Sequence, residues 1–449
     1  MKSFTATLSP ILALSLAGLS TAYSHAQLNG MTVFGYQAWY PTWDPNHQPQ
    51  DQVHSNDFKW FNPSQGTPGP PSPPNSQVLT DTLPYVDDYP AECWENTNFI
   101  LANGSHAQFF NSYCTAVIEK HFQYMVQYGI DGLFVQRFFD AATPSNDYFN
   151  ATLQALQTIR QMAEKYNKYF AVEYDLSGKT DAWGPDQYLT VLQNDYNNVV
   201  KPLFSSQSYI YNGTRPVVEI WGVAINNGTG PNGSKFKDII NRFQEAPENP
   251  FIVAGVPHNW LDYKTKDPNG YWPAFQQADC IQPWPVGAFS TISDFTWSVQ
   301  HELLPGKAQT DSWGIKFGGA FTPGGSNRNA NTNATYQPPL GNRFNGTFYE
   351  EQLKAFSNGT VKSWFNFGAM FDEYTEGELA YSEFGIFETD KECPGTQILP
   401  MVQFKDLPKN SDPGFLGSDD DKSPFYYMQL SGNYTTVFHQ TWGQQSVAH

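Results

Sequence analysis

The chain is poor in cysteine, in basic residues and in long apolar runs, and each shortage excludes a class of protein. Its 449 residues include four cysteines, Cys93, Cys114, Cys280 and Cys393, and no Cys/His spacing is typical of a zinc site. Lysine and arginine number 25 against 43 acidic residues, a net charge of −18. Nucleic acids, anionic membranes and polyanionic polysaccharides need basic surfaces, so none of them is an expected partner. No apolar run is long enough for a transmembrane helix.

The first 26 residues have the pattern of a secretory signal peptide. Lys2 supplies the basic start, residues 11–19 form a short apolar core, and residues 24–26, Ser-His-Ala, offer small side chains at a cleavage site. We therefore expect a secreted, extracellular protein whose mature chain begins near Gln27. The sequence has no cofactor motif and no metal-ligand pattern, so we expect neither a cofactor nor a metal ion. We also expect a monomer.

If the protein is secreted, its cysteines are candidates for disulfides and many of its asparagines are candidates for glycosylation. In an oxidising compartment an even number of cysteines predicts two disulfides, and Cys93–Cys114 is the preferred local pair. Asn-x-Ser/Thr sequons predict a glycosylated surface with many loops. The nine sequons are at Asn103, Asn150, Asn212, Asn227, Asn232, Asn333, Asn345, Asn358 and Asn433.

Short apolar strands alternate with helical segments along the mature chain. This alternation predicts one parallel sheet with crossover helices. Eight such units predict a single (β/α)8 barrel over residues 27–449, with long loops on its C-terminal face. The predicted strands span residues 31–39, 129–138, 169–176, 215–224, 250–256, 278–284, 315–321 and 364–371.

Helices are predicted between these strands. The first follows a proline-rich loop that ends near residue 97, and it stops at Gly129. Ser293 is expected to cap the helix at 294–304. The other predicted helices span 148–166, begin at Pro185, and span 234–244, 347–357 and about 423–430.

Polar and aromatic residues collect at the carboxyl ends of the predicted strands. In a (β/α)8 barrel these ends form the active site, so the side chains there are candidates for binding substrate. Glu219 also lies at such an end, but receives no separate role. The candidates are Tyr36, Trp39, Gln136, Arg137, Glu173, Asp175, Trp221, His258, Trp260, Trp284 and Asp372.

Several of these candidates have a second interpretation. Glu173 and Asp175 fit either hydroxyl binding or a buried ion pair, for example with Arg137. His258 equally fits a capped histidine in a loop. The tryptophans at 260 and 284 fit either platforms for sugar rings or lids on the core, where most aromatic side chains are buried.

The last predicted strand runs directly into three acids, Asp372, Glu373 and Glu376. Glycoside hydrolysis needs one acid to protonate the leaving oxygen and a second carboxylate as nucleophile or base. Neighbouring carboxylates repel, so one of them can keep its proton near neutral pH. A Glu-x-x-Glu pair usually marks a solvated helix face. Here a strand precedes the pair and Gly377 follows it, so we favour a catalytic site.

Seven segments carry a resemblance to a known family across nearly the whole mature chain. They lie at residues 34–39, 128–138, 170–178, 216–222, 257–260, 283–287 and 370–377, and the last, Met-Phe-Asp-Glu-Tyr-Thr-Glu-Gly, is the most specific. The sequence resembles the glycoside hydrolase family 99-like group of secreted proteins, often labelled xylosidase/arabinosidase. That group is related to endo-α-mannosidases and more distantly to family 71 α-1,3-glucanases.

The resemblance implies a metal-free (β/α)8 barrel and assigns roles to three acids. Glu373 is implied as the base that deprotonates the substrate's own 2-hydroxyl, and Glu376 as the general acid/base. Glu173 takes the place of a substrate-binding glutamate, and Asp372 is left in a supporting role. The implied reaction on an α-linked neutral glycan retains configuration through an epoxide-like intermediate. The chain departs from the family pattern at Glu378, where a threonine is common, and in its long loop after the first strand.

Three other functions remain open at this stage. A non-catalytic carbohydrate-binding barrel would use the aromatic residues while the acids only bind hydroxyl groups. An exo-enzyme of the xylosidase/arabinosidase type would cut single sugars from chain ends. A structural cell-wall protein would need repeats or low-complexity segments, and the proline-rich loop is too short for that.

Overall fold

Eight parallel strands alternate with helices in the computed structural model, which describes residues 25–40, 61–62, 77–78, 82–101, 106–139, 141–144, 148–176, 185–222, 224–225, 231–324, 346–372, 383–386, 403–404 and 425–446. Seven strands are continuous, and the seventh in chain order is divided by Gly318. The strands are β1 Thr32–Tyr36, β2 Gly132–Phe138, β3 Tyr169–Asp175, β4 Arg215–Trp221, β5 Phe251–Pro257, β6 Cys280–Trp284, β7 Lys316–Phe317 with Gly319–Phe321, and β8 Asn366–Gly368.

The strands close into a ring. Neighbours in chain order pair in parallel from β1 to β7, and β8 pairs with β1 on one side and with β7 on the other. The first part of β7 pairs with β6 and the second part with β8, so this strand completes the ring. At the division, the Gly318 N–H donates to the Ile281 carbonyl at 2.8 Å. The predicted (β/α)8 barrel is confirmed.

Helices surround the barrel. The helix Thr115–Tyr128 is capped at its C-terminus by Gly129, whose φ of 74° suits a residue without Cβ. The helix Gly233–Gln244 is capped at its N-terminus by Asn232, whose side chain accepts the Lys235 N–H. The helices are α1 Thr115–Tyr128, α2 Tyr148–Tyr166, α3 Pro185–Asp195, α4 Gly233–Gln244, α5 Trp272–Phe275, α6 Ile292–Ser298, α7 Leu304–Trp313, α8 Thr347–Ser357 and α9 Tyr426–Ser446.

The prediction of a helix over 294–304 capped by Ser293 is wrong at both ends. Thr291 is the cap, and its side chain and that of Asp294 satisfy each other's backbone N–H groups. A turn of π-helix, Val299–Leu303, joins α6 to α7. Pro305 lies in the first turn of α7, directly after the π-turn, where a proline is tolerated.

The prediction of a helix from about residue 97 is also wrong. Strands Trp94–Leu101 and His106–Phe110 pair there as an antiparallel hairpin, and α1 begins only at Thr115. The Asn103-Gly104 pair between the two strands is a strong hairpin signal that the helical interpretation overlooked.

Shorter strands pair outside the barrel. Gln403–Phe404 joins the hairpin, and Tyr211–Asn212 pairs with β4. The remaining pairs are Phe61–Asn62 with Gln77–Val78 and Thr82–Pro84 with Glu383–Ile386.

The cysteines differ in state. Cys93 and Cys114 form the predicted disulfide, which connects the start of the hairpin to the start of α1. Cys280 is a free thiol buried in β6, so the expected second disulfide is absent from the described part of the chain. Cys393 lies outside the described residues.

The last helix is much longer than the predicted 423–430. The polar, glycine-containing sequence after Leu430 has weak intrinsic helix preference, but α9 continues because it packs against α8 and α1. A Cβ at Gly432 would meet the Tyr128 carbonyl oxygen at 1.5 Å, so only glycine permits this close crossing. No helix among the described residues is long and apolar enough to span a membrane.

Candidate active site

A layer of polar side chains lies inside the barrel near the carboxyl ends of β2, β3 and β4. Gln136, Glu173 and Glu219 occupy the same level, because Gln136 pairs with Glu173 and Glu173 pairs with Glu219 in the strand register. Neighbouring residues at the same register of a parallel sheet point to the same face. Glu173 and Glu219 are fully buried. Gln282 on β6 is also fully buried.

Many polar atoms in this layer have no hydrogen-bond partner among the described residues. The atoms that are buried and unpaired there are both carboxyl oxygens of Glu219, one of Glu173, the amide oxygen of Gln136 and both amide atoms of Gln282. Most buried polar atoms in folded proteins are paired, and each unpaired one costs about 1–3 kcal/mol. A cluster of this size is therefore typical of a ligand site rather than of a structural core.

Burial and neighbouring carboxyl groups raise the pKa of both glutamates. Burial raises the pKa of Glu173, and the carboxyl groups of Glu219 and Asp175 raise it further. Burial likewise raises the pKa of Glu219, with a contribution from Asp175. Both groups therefore hold protons more tightly than exposed glutamates do.

Asp175 and two tryptophans form the next level towards the mouth of the barrel. Asp175 pairs in register with Trp221, and its carboxylate accepts a hydrogen bond from the Gln136 amide at 2.5 Å. The rings of Trp221 and Trp284 pack edge to face, with their centroids 4.7 Å apart. A Cβ at Gly255 would lie 2.1 Å from the Trp221 ring, so this glycine lets the indole cross β5.

Asp372 fixes the end of β8 to the segment after β1. Its two carboxylate oxygens accept the N–H groups of Gln37 at 2.7 Å and Ala38 at 3.0 Å. Ala38 has a φ of 51°, a conformation that a non-glycine residue adopts only when its surroundings hold it there. Burial raises the pKa of Asp372 to about 7, although these N–H bonds favour the ionised form. Asp372 thus supports the chain directly before the Glu-x-x-Glu motif.

Trp39 also lies at the mouth, where its ring stacks on Phe138 at 4.6 Å. His258 follows β5, is partly exposed, and has its Nε2 atom 3.8 Å from a carboxylate oxygen of Glu302. The structure therefore brings together Gln136, Glu173, Asp175, Trp221, Trp284, Trp39 and Asp372 around the mouth, and places His258 at its edge.

Three predicted substrate-binding residues do not reach the mouth, which corrects their assignment. Arg137 points outward, where its guanidinium forms two hydrogen bonds with Asp195 at 2.6 and 2.7 Å. The Tyr36 hydroxyl lies 2.6 Å from His121 Nδ1 on α1. Trp260 is fully buried and stacks on Trp272 in the outer layer.

The two catalytic candidates, Glu373 and Glu376, lie outside the described residues. The described chain reaches Asp372, directly before them. Among the sequons, Asn150, Asn358 and Asn433 are exposed, whereas the side chains of Asn212 and Asn232 accept hydrogen bonds from Trp364 and Lys235. Asn103, Asn227, Asn333 and Asn345 lie outside the described residues, and glycosylation stays a prediction.

Sequence reasoning gave no role to Glu219, Gln282 or Asp195. A signal for Glu219 was present, because the Val-Val-Glu of β4 has the same position in its strand as the Ala-Val-Glu of β3. Within the described ranges, no three His, Cys, Asp or Glu side chains are arranged to hold a metal ion. The expectation of a metal-free site stays a prediction.

His121 links α1 to the outer side of β1 and predicts a pH effect. It is buried between the hydroxyls of Tyr36 and Tyr89, and burial lowers its pKa to about 3. The unfolded chain therefore binds this proton at a higher pH than the folded chain, and His121 makes stability fall as pH drops from about 6.5 towards 3.

The amide of His121→Gln can bond both hydroxyls without titrating, so we expect a smaller loss of stability over this interval. Urea unfolding at several pH values measures the difference; equal slopes for both proteins would contradict it.

Comparison with solved structures supports the barrel fold. No protein-family model and no curated protein matches the sequence. Among solved structures, the GH99 endo-α-mannosidase from Bacteroides thetaiotaomicron superposes with a TM-score of 0.59 at 10% identity, over 92% of this chain and 99% of that chain. The same enzyme in complex with bis-tris propane gives 0.57 at 11% identity, over 94% and 100%. The chain is therefore similar to a GH99 endo-α-mannosidase in its (β/α)8 fold over nearly the full length of both proteins.

Proposed function

We propose that the protein is a secreted glycoside hydrolase that cleaves an α-linked neutral glycan with retention of configuration. The observation that carries this proposal is the buried polar layer beneath a tryptophan-lined mouth. In the sequence, the Asp372-Glu373-x-x-Glu376 motif begins four residues after β8. Active sites of (β/α)8 enzymes lie at this end of the barrel. The similarity in fold to an endo-α-mannosidase supports the same activity class.

The proposed reaction has two steps, with roles for Glu373 and Glu376 taken from the family resemblance. In the first step Glu373 removes the proton of the sugar 2-hydroxyl, whose oxygen attacks C1. The bond from C1 to the leaving oxygen breaks, and Glu376 gives that oxygen its proton. In the second step Glu376 takes a proton from water, which attacks C1 and opens the three-membered ring. Glu373 then returns its proton to O2, and two inversions give net retention.

The described side chains bind and orient the sugar in this proposal. Gln136, Glu173 and Asp175 offer mainly acceptor oxygens, which suit the hydroxyl groups of an uncharged ring. Trp221 and Trp284 provide apolar faces at the mouth. Acidic side chains dominate the site, and Arg137 is paired with Asp195 on the outer side of the barrel. Uronic acids and sulfated sugars, which are negatively charged, are therefore unsuitable substrates.

Secretion and glycosylation belong to the same proposal. They rest on the leader-like first 26 residues and on the exposed sequon asparagines at 150, 358 and 433. The described part of the chain offers few large apolar side chains to a partner, because only Val126 and Trp297 are exposed there. We therefore propose a monomer.

The alternative is a non-catalytic carbohydrate-binding barrel. The unpaired acids favour this alternative because sugar hydroxyl groups that donate hydrogen bonds would satisfy them without any catalysed reaction. Digestion of a panel of α- and β-linked glycans with mass-spectrometric detection separates the two functions. Cleavage of an α-linked member that Glu376→Gln abolishes supports the hydrolase. Binding without cleavage of any member supports the alternative, and release of single pentoses supports a xylosidase/arabinosidase-type exo-enzyme.

Trp284→Ala is expected to raise KM on the cleaved glycan about 3- to 10-fold with little change in kcat. Stacking of an aromatic ring contributes about 0.5–1.5 kcal/mol beyond area burial, and it acts on ground state and transition state alike. Steady-state kinetics measures the change. The matched control is Trp297→Ala, since Trp297 is 55% exposed on α6, outside the barrel. Equal KM values for Trp284→Ala and wild type would remove Trp284 from the site.

A further inference from the structure

Glu219 is the acid of the polar layer to which the proposed reaction gives no role. It sits next to Glu173 in the register of β3 and β4, and both acids face the barrel interior. Its exposure is 0%, and neither of its carboxyl oxygens has a hydrogen-bond partner in the described part of the chain. Its neighbours on β4, Val218 and Ile220, are apolar and buried on the opposite face.

A structural role does not explain this glutamate. Barrel interiors at this level are usually filled by branched apolar side chains. A buried carboxyl group without a partner lowers stability, and a like charge at the neighbouring position lowers it further. A valine or leucine would fill the same space at no such cost. The position therefore calls for a chemical explanation.

Direct contact with a ligand does not explain it well either. Trp221 follows Glu219 by two residues on β4, and Trp284 follows Gln282 by two residues on β6. The two indole rings touch at a level nearer the mouth than Glu219. The direct neighbour of Glu219 in the register of β3 and β4 is Glu173.

The two acids are neighbours in the strand register. Within the described residues, only one oxygen of Glu173 is both buried and unpaired, whereas both oxygens of Glu219 are. Among the same residues, the titratable groups facing Glu219 are Glu173 and Asp175 on β3 and Cys280 on β6. Two close carboxyl groups in an apolar wall do not ionise together, because their charges repel.

We propose that Glu219 is a positioning residue that shares one proton with Glu173 and so holds Glu173 in the orientation that binds a substrate hydroxyl. In this arrangement the Glu219 O–H donates to the buried oxygen of Glu173. The other oxygen of Glu173 is then the acceptor directed to the mouth. The role of Glu173 in substrate binding rests on the proposed function, whereas the shared proton does not.

Infrared spectroscopy at neutral pH tests the shared proton without any substrate. The C=O stretch of a protonated carboxyl group is separate from the carboxylate bands. We expect Glu219→Gln and Glu173→Gln each to remove the same band completely, because the introduced amide donates to the remaining, ionised partner. Glu248→Gln, which changes a partly exposed glutamate paired with Lys201, should leave the band unchanged. Loss of only half the band in each variant, or no band in wild type, would overturn the proposal.

Kinetics on the cleaved glycan tests the positioning role. Glu219→Gln keeps a donor towards Glu173 and is expected to stay within about threefold of the wild-type KM, whereas Glu219→Leu should raise KM about 10- to 100-fold. Thermal unfolding should show that Glu219→Leu is at least as stable as wild type, which a purely structural role does not allow. An unchanged KM in Glu219→Leu would contradict positioning. If wild type cleaves no glycan, the hydrolase proposal fails while the infrared result still decides the shared proton.

Discussion

Glu376→Gln is expected to lower kcat/KM on the cleaved glycan at least about a thousandfold without changing thermal stability. A positioned general acid/base contributes about 10²–10⁴-fold, and Glu376 acts in both proposed steps. Glu373→Gln should have an effect of similar size, since the 2-hydroxyl then lacks its base. Steady-state kinetics and thermal unfolding of both variants provide the measurement.

Leaving-group chemistry separates the two roles. An activated aryl glycoside needs little protonation at its leaving oxygen, so Glu376→Gln should recover much of the first step on that substrate, whereas Glu373→Gln should not. Glu378→Gln is the matched control, because it changes a nearby acid to which no role is assigned. Wild-type activity in Glu376→Gln, or equal recovery by both variants, would refute the assignment of roles.

Asp195→Ala is expected to lower the free energy of unfolding by about 3–5 kcal/mol, because it leaves the charge of Arg137 buried without a partner. Arg137 is 2% exposed and forms two hydrogen bonds with this carboxylate. The Tyr174 hydroxyl donates to the same carboxylate at 2.8 Å and loses its acceptor too. Urea or thermal unfolding measures the loss.

Two further variants make this prediction specific. The double variant Arg137→Met with Asp195→Leu removes both charges and should recover most of the stability, because no buried charge remains. Asp311→Ala, which breaks an exposed pair with Lys307 on α7, should cost no more than about 0.5 kcal/mol. A loss in Asp195→Ala as small as that in Asp311→Ala would show that the buried pair contributes little.

The barrel was predictable from the sequence because its strands are apolar on both faces. Strands buried between a barrel core and a helix layer form continuous apolar runs, and each of the eight predicted runs overlaps a strand. Because both faces are apolar, the sequence did not indicate which polar residues point into the barrel. Gln136 and Arg137 are consecutive at the end of β2, so one faces the interior and the other the helices. Without a polar face, the sequence pattern does not indicate which.

The candidate site was therefore predicted in part. Glu173, Asp175 and Trp221 follow the alternation that points them inward, whereas Arg137 and Tyr36 fall on the outward positions of their strands. Glu219 has the inward position too, but it stands out only because its carboxyl oxygens lack hydrogen-bond partners among the described residues. A pattern of residue types does not reveal an unpaired atom, because pairing depends on side chains from distant strands.

Closure of the barrel by β1 and β8 has a consequence for biosynthesis. Thr32 pairs with Asn366, so the first strand has no partner on one side until nearly the whole chain has been made. At about 5–20 residues per second, the ribosome needs on the order of 20–60 s to cover that interval. During this time β1 exposes an unpaired edge, which is a hazard for aggregation. Contacts between such distant segments also slow folding. We therefore expect the nascent chain to depend on chaperones until β8 has emerged.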